Sequence, residues 1–98
     1  MTVRGVIYYN RSSGEQVPEL AARLQSAANA AGVDLVTLEP NLDIGRDIRE
    51  RIAGGERLFI AAGGDGTINH VAQPLVGTDA RLGVIPVGTF NHFARDIG

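Results

Sequence analysis

The 98-residue sequence contains no cysteine, which excludes disulfides, thiolate metal sites and cysteine nucleophiles and permits a reducing compartment. It has no excess of positive charge. Nine Lys and Arg stand against eleven Asp and Glu, a formal net charge of -2, so general attraction to nucleic acid or an anionic membrane is not expected. Any phosphate binding must then be local, and backbone amides matter more than Lys or Arg. No long apolar run reads as a membrane span. Met1 leads directly into a strand-like segment, without the charged start, apolar stretch and small-residue cleavage site of a secretory signal, so the expected location is the cytoplasm. Asn10-Arg11-Ser12 fits an N-glycosylation acceptor, but without an export signal it is set aside.

What is there suits one globular domain with a modest core: 44% hydrophobic and 20% charged residues, with no linker or repeat. Val3 to Tyr9 is rich in β-branched and aromatic residues and stops at the turn formers Asn10 to Gly14, which predicts a strand and a polar loop. From about Gln16 to Ala31 apolar residues recur at helical spacing, with Pro18 suited to the first turn and Gly32 at the C-terminal cap. Val33 to Leu38 predicts a second strand, interrupted by Glu39-Pro40-Asn41. Ile44, Ile48 and Ile52 mark a short amphipathic helix in which Asp47 and Arg51 can pair, and Gly54-Gly55 ends it.

Arg57 to Ala62 has a continuous apolar run, as expected of a strand covered on both faces, and leads into Gly63-Gly64-Asp65-Gly66-Thr67. A helix is expected after Thr67, broken or kinked at Pro74. Gly77-Thr78-Asp79 is a turn, Leu82 to Ile85 a fourth strand, Pro86-Val87-Gly88-Thr89 a second strand-to-helix transition, and Phe90 to Asp96 a last helix. This β-α-β-α-β-α-β-α order predicts an α/β fold, a three-layer α/β/α Rossmann-like domain with a mainly parallel sheet of about four strands.

In such a sheet the loops after the strands emerge on one edge, where ligands of these folds bind. That gathers Asn10 to Gly14, Thr37, Gly63 to Asn69 and Gly88-Thr89, two of them at helix N-termini where free amides favour an anion. Gly63, Gly64 and Gly66 are expected to permit unusual backbone angles and let amides approach a phosphate. Thr67 can cap the helix or donate to a phosphate oxygen. Asp65 would repel a polyphosphate unless it positions Mg²⁺ or accepts a proton from an attacking hydroxyl. Alone, Gly-Gly-Asp-Gly equally suits a tight turn with an Asp cap; the preceding strand, the following helix and the second Gly-Thr favour phosphate. Neither a Walker A sequence nor a Gly-x-Gly-x-x-Gly dinucleotide fingerprint is present.

Gly63-Gly64-Asp65-Gly66-Thr67-Ile68-Asn69, with Ile85-Pro86-Val87-Gly88-Thr89-Phe90-Asn91-His92-Phe93-Ala94-Arg95 downstream, resembles the diacylglycerol kinase catalytic-domain family, which includes sphingosine, ceramide and bacterial lipid kinases. NAD kinases and phosphofructokinases share a similar glycine loop, but the second segment is similar to the lipid-kinase branch. The resemblance implies that ATP is held by Asn10, Arg11, Ser12, Ser13, Gly14, Thr37, Gly63, Gly64, Asp65, Gly66, Thr67, Ile68, Asn69, Gly88 and Thr89. It also implies Mg²⁺ as cofactor, Asp65 as the catalytic residue, and transfer of the γ-phosphoryl group to a hydroxyl of a lipid such as diacylglycerol, with peripheral membrane contact. No metal ligands are assigned.

The sequence departs from the family pattern in its first loop, where Asn-Pro is common, and in His70 and His92, where acidic residues are frequent. Family members carry a second, β-rich domain with further acids and much of the lipid pocket. The expectation is therefore an N-terminal nucleotide-binding domain that is inactive alone. The alternatives are a non-catalytic nucleotide-binding or regulatory module and an NAD kinase-like enzyme.

Overall fold

The computed structural model describes residues 4–10 and 19–86. Four strands, β1 (Gly5–Tyr9), β2 (Asp34–Thr37), β3 (Leu58–Gly63) and β4 (Arg81–Pro86), alternate with α1 (Leu20–Ala31), α2 (Ile44–Ala53) and α3 (Asp65–Ala72). The sheet is wholly parallel, in the order β2-β1-β3-β4. The expected α/β/α domain with a four-stranded parallel sheet is therefore present. The chain moves outward from β1 to β2, then crosses back over β1 to β3, so the winding reverses between β1 and β3. In open parallel sheets, ligands bind at the carboxyl ends of the strands where the winding reverses, here those of β1 and β3.

Residue alternation divides the core between two faces of the sheet. Val6, Tyr8, Phe59 and Ala61 face α2 and α3, packing with Ile48, Val71 and Leu75. Ile7, Tyr9 and Ala62 face α1, packing with Leu24, Ala28 and Val33. Tyr8, Phe59 and Ile48 are each fully buried. At about 1.5–3 kcal/mol for a large apolar side chain, the helix stripe Ile44-Ile48-Ile52 gives α2 a strong reason to stay on the sheet.

Local chemistry sets the helix ends. Gly32 closes α1 at φ 74°, a left-handed position in which its N–H reaches the carbonyls of Ala28 and Asn29. Asp43 caps α2 by accepting from the Arg46 amide at 3.1 Å. The helix before Pro74 stops at Ala72 and tightens into a 3-10 turn, Gln73–Leu75, because proline cannot continue the hydrogen-bond ladder. This helix starts at Asp65, earlier than the sequence suggested. The α1 helix is described from Leu20, and the expected start from Gln16 through Pro18 lies outside the described residues, as does the last helix, Phe90 to Asp96.

The expected Asp47–Arg51 pair forms at 3.0 Å and belongs to a wider cluster. Arg51 also reaches Asp34 at 3.0 Å and Glu56 at 3.1 Å, joining α2 to the starts of β2 and β3. The Tyr8 hydroxyl donates to the Asp47 carboxylate at 2.5 Å. Burial, the bond to Asp47 and that carboxylate's charge hold the Tyr8 phenol well above the ordinary tyrosine range. Burial works against the Arg51 cation, but its bonds to Asp34 and Asp47 outweigh this and raise its pKa.

Candidate functional site

At the winding reversal Asn10 directly follows β1, and its amide donates to the Ala62 carbonyl of β3 at 2.9 Å. Its side chain donates to the Thr67 hydroxyl at 3.0 Å. The end of β1, through Asn10, and the first turn of α3 are thus tied together. Thr67 is buried, so this polar group is satisfied inside the protein and is not the helix cap.

Gly64 occupies the cap position of α3 in an extended conformation, φ -89° and ψ -168°, and its carbonyl accepts from the Ile68 amide at 3.0 Å. The amides of Asp65, Gly66 and Thr67 belong to the first helical turn, where α-helix geometry provides no intrahelical acceptor. They form the donor set of the site. The helix dipole adds to their preference for an anion.

The glycines serve this loop differently from the sequence expectation. Among the described residues positive φ occurs at Gly32, Gly55 and Gly77, and at none of the loop glycines. Space is the requirement instead. A Cβ on Gly63 would lie 2.7 Å from the Thr67 hydroxyl oxygen and 2.8 Å from its Cβ, whereas a Cβ on Gly66 would have nothing within 4 Å. Gly63 therefore lets α3 close onto β3, and Gly66 leaves a bare, exposed backbone facing outward.

Gly66 and Thr67 form one wall of a cleft of about 440 Å³, with Asn10 beside them and Leu38, Glu39, Pro40, Leu42, Ile44 and His70 around the rest. No Lys or Arg is among these lining residues as far as the described residues go. Asp65 is exposed beside the cleft, and its carboxylate has no hydrogen bond or ion pair among the described residues. Ile68 packs against the core below, and Asn69 is exposed. Thr37 is half-buried in register with Tyr9 and does not line the cleft. Arg11, Ser12, Ser13, Gly14, Gly88 and Thr89 lie outside the described residues.

Sequence reasoning missed the segment Leu38 to Pro40, which forms the opposite wall. Its signal was available: Glu39-Pro40 directly follows a parallel strand on the ligand-binding edge. His70 also lines the cleft, one turn along α3 from Gly66.

Residues 4–98 match the family described as diacylglycerol kinase catalytic domain. This chain belongs to that family. A diacylglycerol kinase of Bacillus subtilis (strain 168) is 43% identical over 101 residues, covering 97% of this chain and 33% of that protein. A probable YegS-like lipid kinase of Pseudomonas fluorescens is 43% identical over 77 residues, covering 74% of this chain and 25% of its own length. Another from Pseudomonas aeruginosa PAO1 is 33% identical over 95 residues, covering 95% and 31%. The family chain described here thus spans about a third or less of the length of these curated relatives.

A divalent ion fits this lipid-kinase-family site only in part. Among the described residues no group of three or more His, Cys, Asp or Glu could hold a metal. Mg²⁺ commonly takes one or two carboxylates and completes its shell with substrate phosphates and water; Glu39 lines the cleft, and Asp65 is exposed next to Gly66. Among the described residues no helix is long and apolar enough to cross a membrane.

Proposed function

We propose that the chain is the nucleotide-binding part of an ATP-dependent lipid kinase, holding ATP for transfer of its γ-phosphoryl group to a hydroxyl of a lipid such as diacylglycerol. The observation that carries this reading is the first turn of α3. It presents amides and the open backbone of Gly66 to a cleft at the winding reversal of the sheet, in a chain of the diacylglycerol kinase family.

In this reading the Asp65, Gly66 and Thr67 amides bind the polyphosphate, and the Asn10–Thr67 bond keeps them in place. Mg²⁺ would neutralise charge on the phosphates, with Asp65 contributing a ligand. Alternatively, Asp65 takes the proton of the lipid hydroxyl as its oxygen bonds to the γ-phosphorus and the bond to the departing ADP oxygen breaks. Arg11 to Gly14, Gly88 and Thr89 would complete the phosphate contacts, with Thr37 near the nucleotide. That the chain spans about a third or less of its relatives' length supports a further proposal, that the 98 residues bind nucleotide but do not catalyse alone. A second reading is a module that binds nucleotide and never catalyses: among the described residues no cluster of three or more His, Cys, Asp or Glu could hold a metal.

A chimera separates these readings. With this chain replacing the matching third of the Bacillus diacylglycerol kinase, the lipid is expected to be phosphorylated. Asp65→Asn should lower turnover by roughly 100-fold or more while ATP still binds. Undiminished turnover in the Asp65→Asn chimera would remove Asp65 from catalysis. Lipid phosphorylation by the 98 residues alone, at the rate of the chimera, would refute the need for the rest.

A further inference from the structure

His70 stands one turn beyond Gly66 on α3, and both line the same cleft. Residues four apart share a helix face, and helical side chains lean toward the N-terminus, so the imidazole leans back toward the turn that carries the Asp65, Gly66 and Thr67 amides. Gly66 has no side chain to stand in that path, and a Cβ there would meet nothing within 4 Å. Among the described lining residues Glu39 brings a negative charge to the opposite wall, and His70 is the one side chain able to become a cation. Asp65, exposed beside the cleft, adds a second negative charge. A polyphosphate seated on the amides would meet these carboxylates and one group able to offset them.

The other charged groups on elements packed against α3 are placed elsewhere. Asp43 and Arg49 share with His70 an adjoining cleft of about 500 Å³, and neither lines the Gly66 side. Also on α2, Arg46 pairs with Glu50 and Arg51 with Asp47, which accepts from the Tyr8 hydroxyl as well. The strand β3 and the 3-10 turn carry no titratable side chain. Arg81 begins β4, at the opposite end of the sheet from the cleft.

We propose that polyphosphate binding at this cleft is coupled to uptake of a proton from solvent by His70, so that the chain holds the ligand more tightly below neutral pH than above it. The inference rests on the reading of the first α3 turn as the polyphosphate site. Imidazole ordinarily exchanges its proton between about pH 5 and 8, and a neighbouring polyanion favours the charged form. By linkage, a ligand that prefers the imidazolium draws a proton in as it binds. At acid pH that proton is already in place; as pH rises it must be added on binding, and affinity falls.

Titration of the full chain with inorganic tripolyphosphate, free of metal ions, tests this. The ligand itself titrates in this range, so the quantity to read is the ratio of affinities of the unsubstituted chain and a variant at one pH, in which the ligand's own protonation cancels. His70→Gln is expected to bind roughly threefold more weakly at about pH 6 and equally well at about pH 8.5. His70→Arg, charged throughout, is expected to bind more tightly than the unsubstituted chain at about pH 8.5. Calorimetry at about pH 7 in two buffers of unlike ionisation heat should show more proton uptake by the unsubstituted chain than by His70→Gln. A ratio that does not change with pH, or equal proton uptake, overturns the proposal and leaves the polyphosphate reading standing. If the unsubstituted chain binds no tripolyphosphate at either pH, the polyphosphate reading fails and this inference fails with it.

Discussion

The side chain of Asn10 and the hydroxyl of Thr67 meet at 3.0 Å across the point where the winding of the sheet reverses. Fifty-seven residues separate them in sequence. Their bond fixes the first turn of α3 against the end of β1, and that turn carries the amides of the candidate phosphate site. Thr67→Val keeps the shape but removes the hydroxyl that accepts from the Asn10 side chain. We expect a loss of about 1 kcal/mol in stability, read by urea denaturation, and weaker ATP binding. Unaltered binding would show that the bond does not hold the site.

Gly63 and Gly66 separate fold from ligand. Gly63→Ala places a methyl group 2.7–2.8 Å from Thr67, and overpacking of this kind typically costs about 1–3 kcal/mol. Gly66→Ala meets nothing in the protein and replaces glycine in a helix, so stability should hold or rise. Its methyl would stand where phosphate approaches, and ATP affinity should fall roughly tenfold or more. Denaturation and ATP titration of both variants check this pair. Equal behaviour of the two would contradict the division of labour.

The glycines also show where the sequence speaks and where it is silent. The strand before and the helix after them, the stop at Pro74 and the Asp47–Arg51 pair are local consequences of residue type, and all were legible. The reason for Gly63 was not. It depends on how Thr67 packs back against β3, which spacing alone does not reveal. Leu38 to Pro40 was missed because Glu39-Pro40-Asn41 reads locally as a break, and only the placement of β2 beside β1 makes it a cleft wall. Ile68 belongs to the glycine motif in sequence, but its side chain joins the core.

Tyr8 gives a prediction for alkaline pH. Its pKa is raised by burial and by Asp47, so the neutral phenol is favoured in the fold. That stability is fully present below the unfolded value, about 10, and is lost as pH rises from there toward the higher folded value. The slope from this group is up to about 1.4 kcal/mol per pH unit. Tyr8→Phe should flatten the decline above pH 10, measured by urea denaturation across pH 8 to 11 or so. A decline of equal slope in the variant would assign it to other groups.

The most direct test of the central claim is an ATP titration of the chain followed by amide NMR. The account predicts saturable shifts concentrated at Asp65, Gly66 and Thr67, with smaller shifts at Asn10 and His70, and their loss in Gly66→Ala. Saturable ATP binding that leaves those three amides unmoved, or no binding at all, would contradict it.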